Sequence, residues 1–176
     1  MSGPRLAAAT VLAILVAAGP TASASAQAPT SDALLKGTFQ VSGRVTVASN
    51  VRGERVGQVV ARTWTFTPQC ATAPCATVQL VRGRGNGTDT ITLAQTPTGT
   101  YAGSGVFYAP LRCSGHIYPR GQEIPFRITV RITATNGTTA SAISATYVNR
   151  QRTNMTPCIG VLGHDSARYT GLLAPG

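Results

Sequence analysis

Between residues 126 and 133, Phe126, Ile128, Val130 and Ile132 alternate with Arg127, Thr129, Arg131 and Thr133. A period of two puts one set on each face of an extended strand, a pattern that a helix of 3.6 residues per turn cannot use. The same alternation recurs between turn signals about every 10 to 15 residues, and no run beyond Lys36 has helical periodicity. The earlier strands are placed at about 37–48 (Phe39, Val41, Val45, Val47), 58–67 (Val60, Trp64, Phe66), 76–82 (Val78, Leu80), 88–95 (Ile91, Leu93) and 100–109. After the strand at Phe126 come one carrying Ile143, Ala145 and Tyr147 and a last one, at about 166–174, carrying Ala167, Tyr169, Gly171 and Leu173. Eight short strands over residues 36–176 make a single all-β domain.

Turn residues fix the register. Taken as a two-residue loop, Asn136-Gly137 pairs Thr135 with Thr138 and, counting outward, Val130 with Ile143, Ile128 with Ala145 and Phe126 with Tyr147. Thr96-Pro97-Thr98-Gly99 reads as a type I turn closed by a glycine bulge, setting Leu93 opposite Gly103 and Ile91 opposite Gly105. These glycines predict bending or close packing. Consecutive strands joined mostly by short turns favour an antiparallel up-and-down β-barrel of eight strands, closed by the last strand on the first. A two-sheet β-sandwich fits the length equally, but the disulfide spacing and intervening Trp of an immunoglobulin domain are missing.

Ahead of the domain, Arg5 precedes the apolar run Leu6 to Gly19 and the small residues Ala22-Ser-Ala24-Ser-Ala26. This order is that of a secretory signal peptide over 1–26, and its apolar run is shorter than the roughly 20 residues that span a bilayer. Residues 27–35 then read as a flexible lead-in to a chain that is secreted, extracellular or in the cell envelope, without a membrane span once the signal is removed. In that oxidising setting Cys70, Cys75, Cys113 and Cys158 read as two disulfides. The short gap between Cys70 and Cys75 makes a local bridge natural and leaves Cys113 for Cys158. A zinc site lacks histidines at ligand spacing, and no metal or cofactor is expected.

The 176 residues hold 15 Lys+Arg against 5 Asp+Glu, and of the cations only Lys36 is a lysine. In an up-and-down meander alternate loops share a rim. One rim collects Arg52, Arg55, Arg82, Arg84, Arg112, Arg120, Arg150 and Arg152, with Glu54, Asp89, Glu123 and Asp165, and the other carries no charge. The long segments 110–123 and 150–165 on the charged rim would be joined by Cys113–Cys158, and stapled loops on a rigid scaffold are where binding surfaces tend to lie. The binding candidates there are Arg112, His116, Tyr118, Arg120, Arg150 and Arg152, to which Arg62 and Trp64 are added because they share inward parity with Val60 and Phe66. Guanidinium forks suit carboxylate, phosphate or sulfate.

Gly37-Thr-Phe39 in the first strand and Arg168-Tyr169 in the last resemble the calycin and lipocalin arrangement, where Gly-x-Trp is covered by an Arg near the end of the barrel. Phe39 stands here for the Trp. The resemblance implies a ligand cup. The stretch Trp64-Thr-Phe66…Cys70…Cys75 resembles small secreted actinobacterial proteins of unknown function, which implies export and nothing else.

Catalytic constellations are lacking. His164-Asp165-Ser166 are neighbours on an extended chain, point to opposite faces and cannot form a triad. The few carboxylates are not paired for glycoside chemistry, and nucleotide and HExxH motifs are missing. The aromatics fall at core positions, which argues against nucleic acid despite a pI of about 10.5. Asn86-Gly-Thr, Asn136-Gly-Thr and Asn154-Met-Thr match glycosylation acceptors and in a bacterial chain read as turns. The expectation is a monomeric, non-catalytic binding protein taking a small anionic or polar ligand at the arginine-rich mouth. Two alternatives stay open: envelope polyanions or glycans bound on the same rim, and a structural or inhibitor role for the 70–75 loop.

Overall fold

The computed structural model describes residues 32–175 apart from 86, 97, 98 and 161. The expected signal peptide and residues 27–31 of the lead-in lie outside the described residues, as does Asn86. The elements are β1 (Gly37–Ser49), β2 (Val59–Pro68), β3 (Thr77–Arg84), β4 (Gly87–Thr96), β5 (Thr100–Cys113), β6 (His116–Asn136), β7 (Thr139–Asn149), β8 (Thr153–Asn154) and β9 (His164–Leu173). Each long strand pairs antiparallel with the one before it, and β9 pairs with both β7 and β1. The ring therefore closes as an eight-stranded antiparallel up-and-down barrel, with β8 a two-residue strip against β6. Closure decides against the sandwich, because it leaves no free sheet edge among the long strands.

Alternation explains the filling. Phe39 and Val41 on β1, Phe66 on β2, Val78 and Leu80 on β3, Leu93 on β4, Ile128 and Val130 on β6 and Ile143 on β7 are buried in one core. Each such side chain contributes about 1.5–3 kcal/mol by leaving water. One end is closed. Leu34 accepts from Ala140 and donates to Thr138, carrying Ala33 and Leu35 into the core, and the Tyr101 hydroxyl donates to the Cys75 carbonyl at 3.2 Å. The last residues of the expected lead-in thus belong to the barrel floor, because the apolar Ala33 and Leu35 have a core to enter. The interior is left open toward the other end, where the β1–β2, β3–β4, β5–β6 and β7–β9 connections meet.

The turn at 96–100 has the expected register: Thr96 pairs with Thr100 and Ala94 with Ala102. Gly103 and Gly105 are close-packed, since a Cβ on Gly103 would lie 2.5 Å from the Thr92 carbonyl oxygen and one on Gly105 2.7 Å from Phe126 Cζ. The β6–β7 pairing differs from expectation by two residues. The turn residues are Gly137 and Thr138, and Ile132 pairs with Ile143, Val130 with Ala145 and Ile128 with Tyr147. A slip of two keeps every side chain on its face. The expected long loop at 110–123 is instead a continuation of β5 and β6 to a tight turn at Ser114 and Gly115. Pro110 is absorbed in a register shift between Ala109 and Leu111, where no ladder donor is needed.

Candidate functional site

Strands β2, β3, β4, β7 and β9 carry polar residues at inward positions near the open end. On β3 the run Val78, Leu80, Arg82, Arg84 keeps one parity, so Arg82 and Arg84 enter the barrel rather than decorating the rim where the sequence placed them. Asp89 faces Arg82 across the β3–β4 pair. Arg82 donates from Nε and Nη2 to the two Asp89 oxygens at 3.0 and 2.7 Å, and Arg84 Nε stands 3.0 Å from Asp89 Oδ2. The Arg82 guanidinium lies 4.1 Å from the Phe126 ring centroid and 5.0 Å from that of Tyr147, so its faces are covered by π surface. A second buried pair joins Arg152 Nη2 to Asp165 Oδ1 at 2.6 Å.

Above the core these residues enclose a cavity of about 240 Å³, lined on its sides by Arg62, Trp64, Arg84, Tyr147 and Tyr169 and at its mouth by Glu54 and Phe107. The latter two also line a wider groove of about 890 Å³ that opens between residues 48–54, the β5–β6 hairpin and Arg152. The two spaces form one cup with a broad mouth and a narrow interior. Cys113–Cys158 ties the hairpin to the 150–163 connection over this mouth, and Cys70–Cys75 closes a loop at the opposite end. Both pairings are the expected ones.

The charge in the cup is unequally satisfied. Arg82 and Arg84 share Asp89, and Arg152 has Asp165. Arg62, half-buried, donates to the Ala61 carbonyl at 2.8 Å and has no carboxylate within ion-pair distance among the described residues. Trp64 Nε1–H and the Tyr147 hydroxyl are buried without a hydrogen-bond partner among the described residues. Burial raises the Glu54 carboxyl above its ordinary 4.5, with Asp165 adding to the shift against Arg152 and Arg62. Burial likewise drives the Tyr147 and Tyr169 hydroxyls upward, so both stay neutral donors.

The sequence candidates separate into three places. Arg62 and Trp64 line the inner cavity, and Arg112 and Arg152 line the mouth. His116 and Tyr118 contact each other at 4.8 Å on the hairpin, and Arg120 covers the Tyr108 ring at 3.8 Å; none of these three lines the cup. Arg150 lines a groove on the outer wall. Arg82, Arg84, Asp89 and Tyr147 were missed as a group. Their signal was parity, which continues past Leu80 and back from Ile91. Arg168 points outward opposite Arg44, whereas Phe39 points inward opposite Leu173. Among the described residues no three His, Cys, Asp or Glu side chains stand together as a metal site would require.

Fold and site define a closed, disulfide-bonded β-barrel with a cationic cup at one end. No family model, curated protein or solved structure matches the chain.

Proposed function

We propose that the chain is an exported, non-catalytic binding barrel whose cup takes a small anionic molecule, with Arg62 as its fork. The observation that carries the reading is the unmatched guanidinium of Arg62 beside two buried, unpartnered donors, Trp64 Nε1–H and the Tyr147 hydroxyl. An oxyanion accepts from all three kinds of donor, and a buried donor left unmade costs about 1–3 kcal/mol. A cavity of about 240 Å³ equals roughly eight water volumes, so the inner part of the ligand is compact, and any larger portion extends into the mouth toward Arg112. Catalysis finds little support in the cup, because Asp89 and Asp165 are held in ion pairs. Two disulfides agree with an extracellular setting.

The test is thermal unfolding of the oxidised protein against phosphate, sulfate and small di- and tricarboxylates, with native mass spectrometry for retained mass. A bound anion at a hundred times its Kd stabilises by about 2.7 kcal/mol. The expected result is such a shift in the wild type and its loss in Arg62→Gln. Equal shifts in both proteins, or no shift with any anion and no retained mass, would remove the cup reading.

A further inference from the structure

The outer wall carries a second cationic feature, separate from the cup. Three shallow grooves run side by side around it: one lined by Arg44 and Arg168, the next by Arg168 and Arg131, the third by Arg127 and Arg150. The first two share Arg168 and Thr170, and the second and third share Thr129 and Thr146, so they form one continuous track. The track crosses β1, β9, β7, β6 and β5, which at ~4.8 Å per strand is about 19 Å. Its five arginines are all exposed, and none is within ion-pair distance of a carboxylate among the described residues. No Asp or Glu lines any of the three grooves.

This segregation follows from where the acids went. Asp89 and Asp165 are bound inside the barrel, Glu54 lines the cup, and Glu123 at the rim accepts from the Tyr108 hydroxyl at 3.2 Å. With these four of the five Asp and Glu residues placed elsewhere, the three grooves are lined by arginines and by no carboxylate. Arg44 and Arg168 are direct cross-strand partners, an arrangement of like charges that destabilises a sheet unless an anion lies between them.

We propose that this track binds a linear anionic glycan. Charge complementarity names a polyanion, and a run of guanidiniums along one groove suits charges repeated along a chain. Between the arginines stand the hydroxyls of Ser42, Thr170, Ser144, Thr146 and Thr129, which match the hydroxyls of sugar units, among the apolar side chains of Val59, Val106, Pro125 and Val148. Single-stranded nucleic acid is disfavoured because it needs exposed rings for its bases. The two rings that edge the track, Tyr169 and Phe126, face inward against Trp64 and Arg82.

The test uses heparin oligosaccharides as probe, with affinity measured over a range of salt. Three variants are compared with the wild type: Arg131→Gln/Arg168→Gln on the wall, Arg52→Gln/Arg55→Gln on the rim with the same loss of charge, and Arg62→Gln in the cup. The expected result is a loss of about tenfold or more and a shallower salt dependence for the wall pair, with the rim pair within about threefold and Arg62→Gln unchanged. An equal loss in the rim pair would mean that binding follows net charge alone and would overturn the proposal, as would an unchanged wall pair. Single-stranded DNA of matched length and charge that outcompetes the glycan would overturn the class of partner. Arg62→Gln separates this site from the cup, since each can fail without the other.

Discussion

Arg82 and Asp89 stand directly opposite each other on β3 and β4, both turned into the barrel and joined through two parallel hydrogen bonds. Their side chains are 6% and 11% exposed, so neither charge is hydrated as it would be in water. Burial of a charge is tolerated here because the fork geometry satisfies both carboxylate oxygens and Phe126 covers the guanidinium face. The pair marks the level at which the apolar filling of the barrel gives way to the polar cup.

Removing one partner strands the other. Asp89→Ala is expected to cost about 3–5 kcal/mol, read as the shift in urea midpoint times the slope, because Arg82 stays buried without its acceptor. Replacing both, as Arg82→Met/Asp89→Leu, is expected to cost far less than Asp89→Ala. A single variant within 1 kcal/mol of wild type would show that Arg82 escapes to solvent.

Gly43 holds the cup open on its β1 side. It is the cross-strand partner of Tyr169, and a Cβ at this position would lie 2.9 Å from the ring Cζ and closer still to Cδ1 and Cε1. Gly43→Ala must therefore displace the Tyr169 ring, whose centroid is 4.8 Å from that of Trp64. The expected cost is about 1–3 kcal/mol of overpacking. Trp64 is the only tryptophan, so its near-ultraviolet circular dichroism and fluorescence should change with it; an unaltered Trp64 signal would contradict the packing described.

The barrel was legible in the sequence because alternation at Phe126–Ile132 and turn residues at Thr96–Gly99 constrain faces and register independently. The β6–β7 register was legible only to within two residues, since register shifts between Ile132 and Thr135 leave no local mark and parity is blind to a step of two. The β5–β6 hairpin was hidden by Pro110 and by Pro119-Arg-Gly121, residues that usually punctuate loops. The inner cup was misplaced for a different reason. Arg82 and Arg84 look like rim residues while strand and core are equated with apolar side chains, and only the parity they share with Val78 and Leu80, with Asp89 opposite Arg82, marks them as interior. Arg62 was found because Trp64 and Phe66 declared its parity.

The two disulfides should differ in worth. In the chain-entropy view, removing Cys113–Cys158, with a sequence separation of 45, costs about 4 kcal/mol, and removing Cys70–Cys75, with a separation of 5, about 2. Paired Cys→Ser variants measured by thermal unfolding give the comparison. Loss of the longer bridge should also loosen the mouth, seen as faster amide exchange in residues 111–122 and 150–160. Equal costs for the two bridges would contradict the loop-length account.

Glu54 sets a pH dependence whose sign follows from its surroundings. Its folded-state pKa lies above the ordinary 4.5, chiefly through burial and then through Asp165, with Arg152 and Arg62 opposing. Below 4.5 both folded and unfolded chains hold the proton, so nothing is lost. As pH rises from there to the folded pKa, the unfolded state releases its proton first, and the folded state loses stability that it does not regain at neutrality. Glu54→Gln removes this penalty while keeping size and hydrogen-bonding capacity. Its melting temperature should exceed that of wild type at pH 7 and converge with it at the acid end. The same change withdraws a negative charge that competes for Arg62, so small anions should bind Glu54→Gln more tightly than wild type at pH 7. A Glu54→Gln protein less stable than wild type at neutral pH would mean that the carboxylate is held as a favourable partner of Arg62 and Arg152, and the direction of both effects would then reverse.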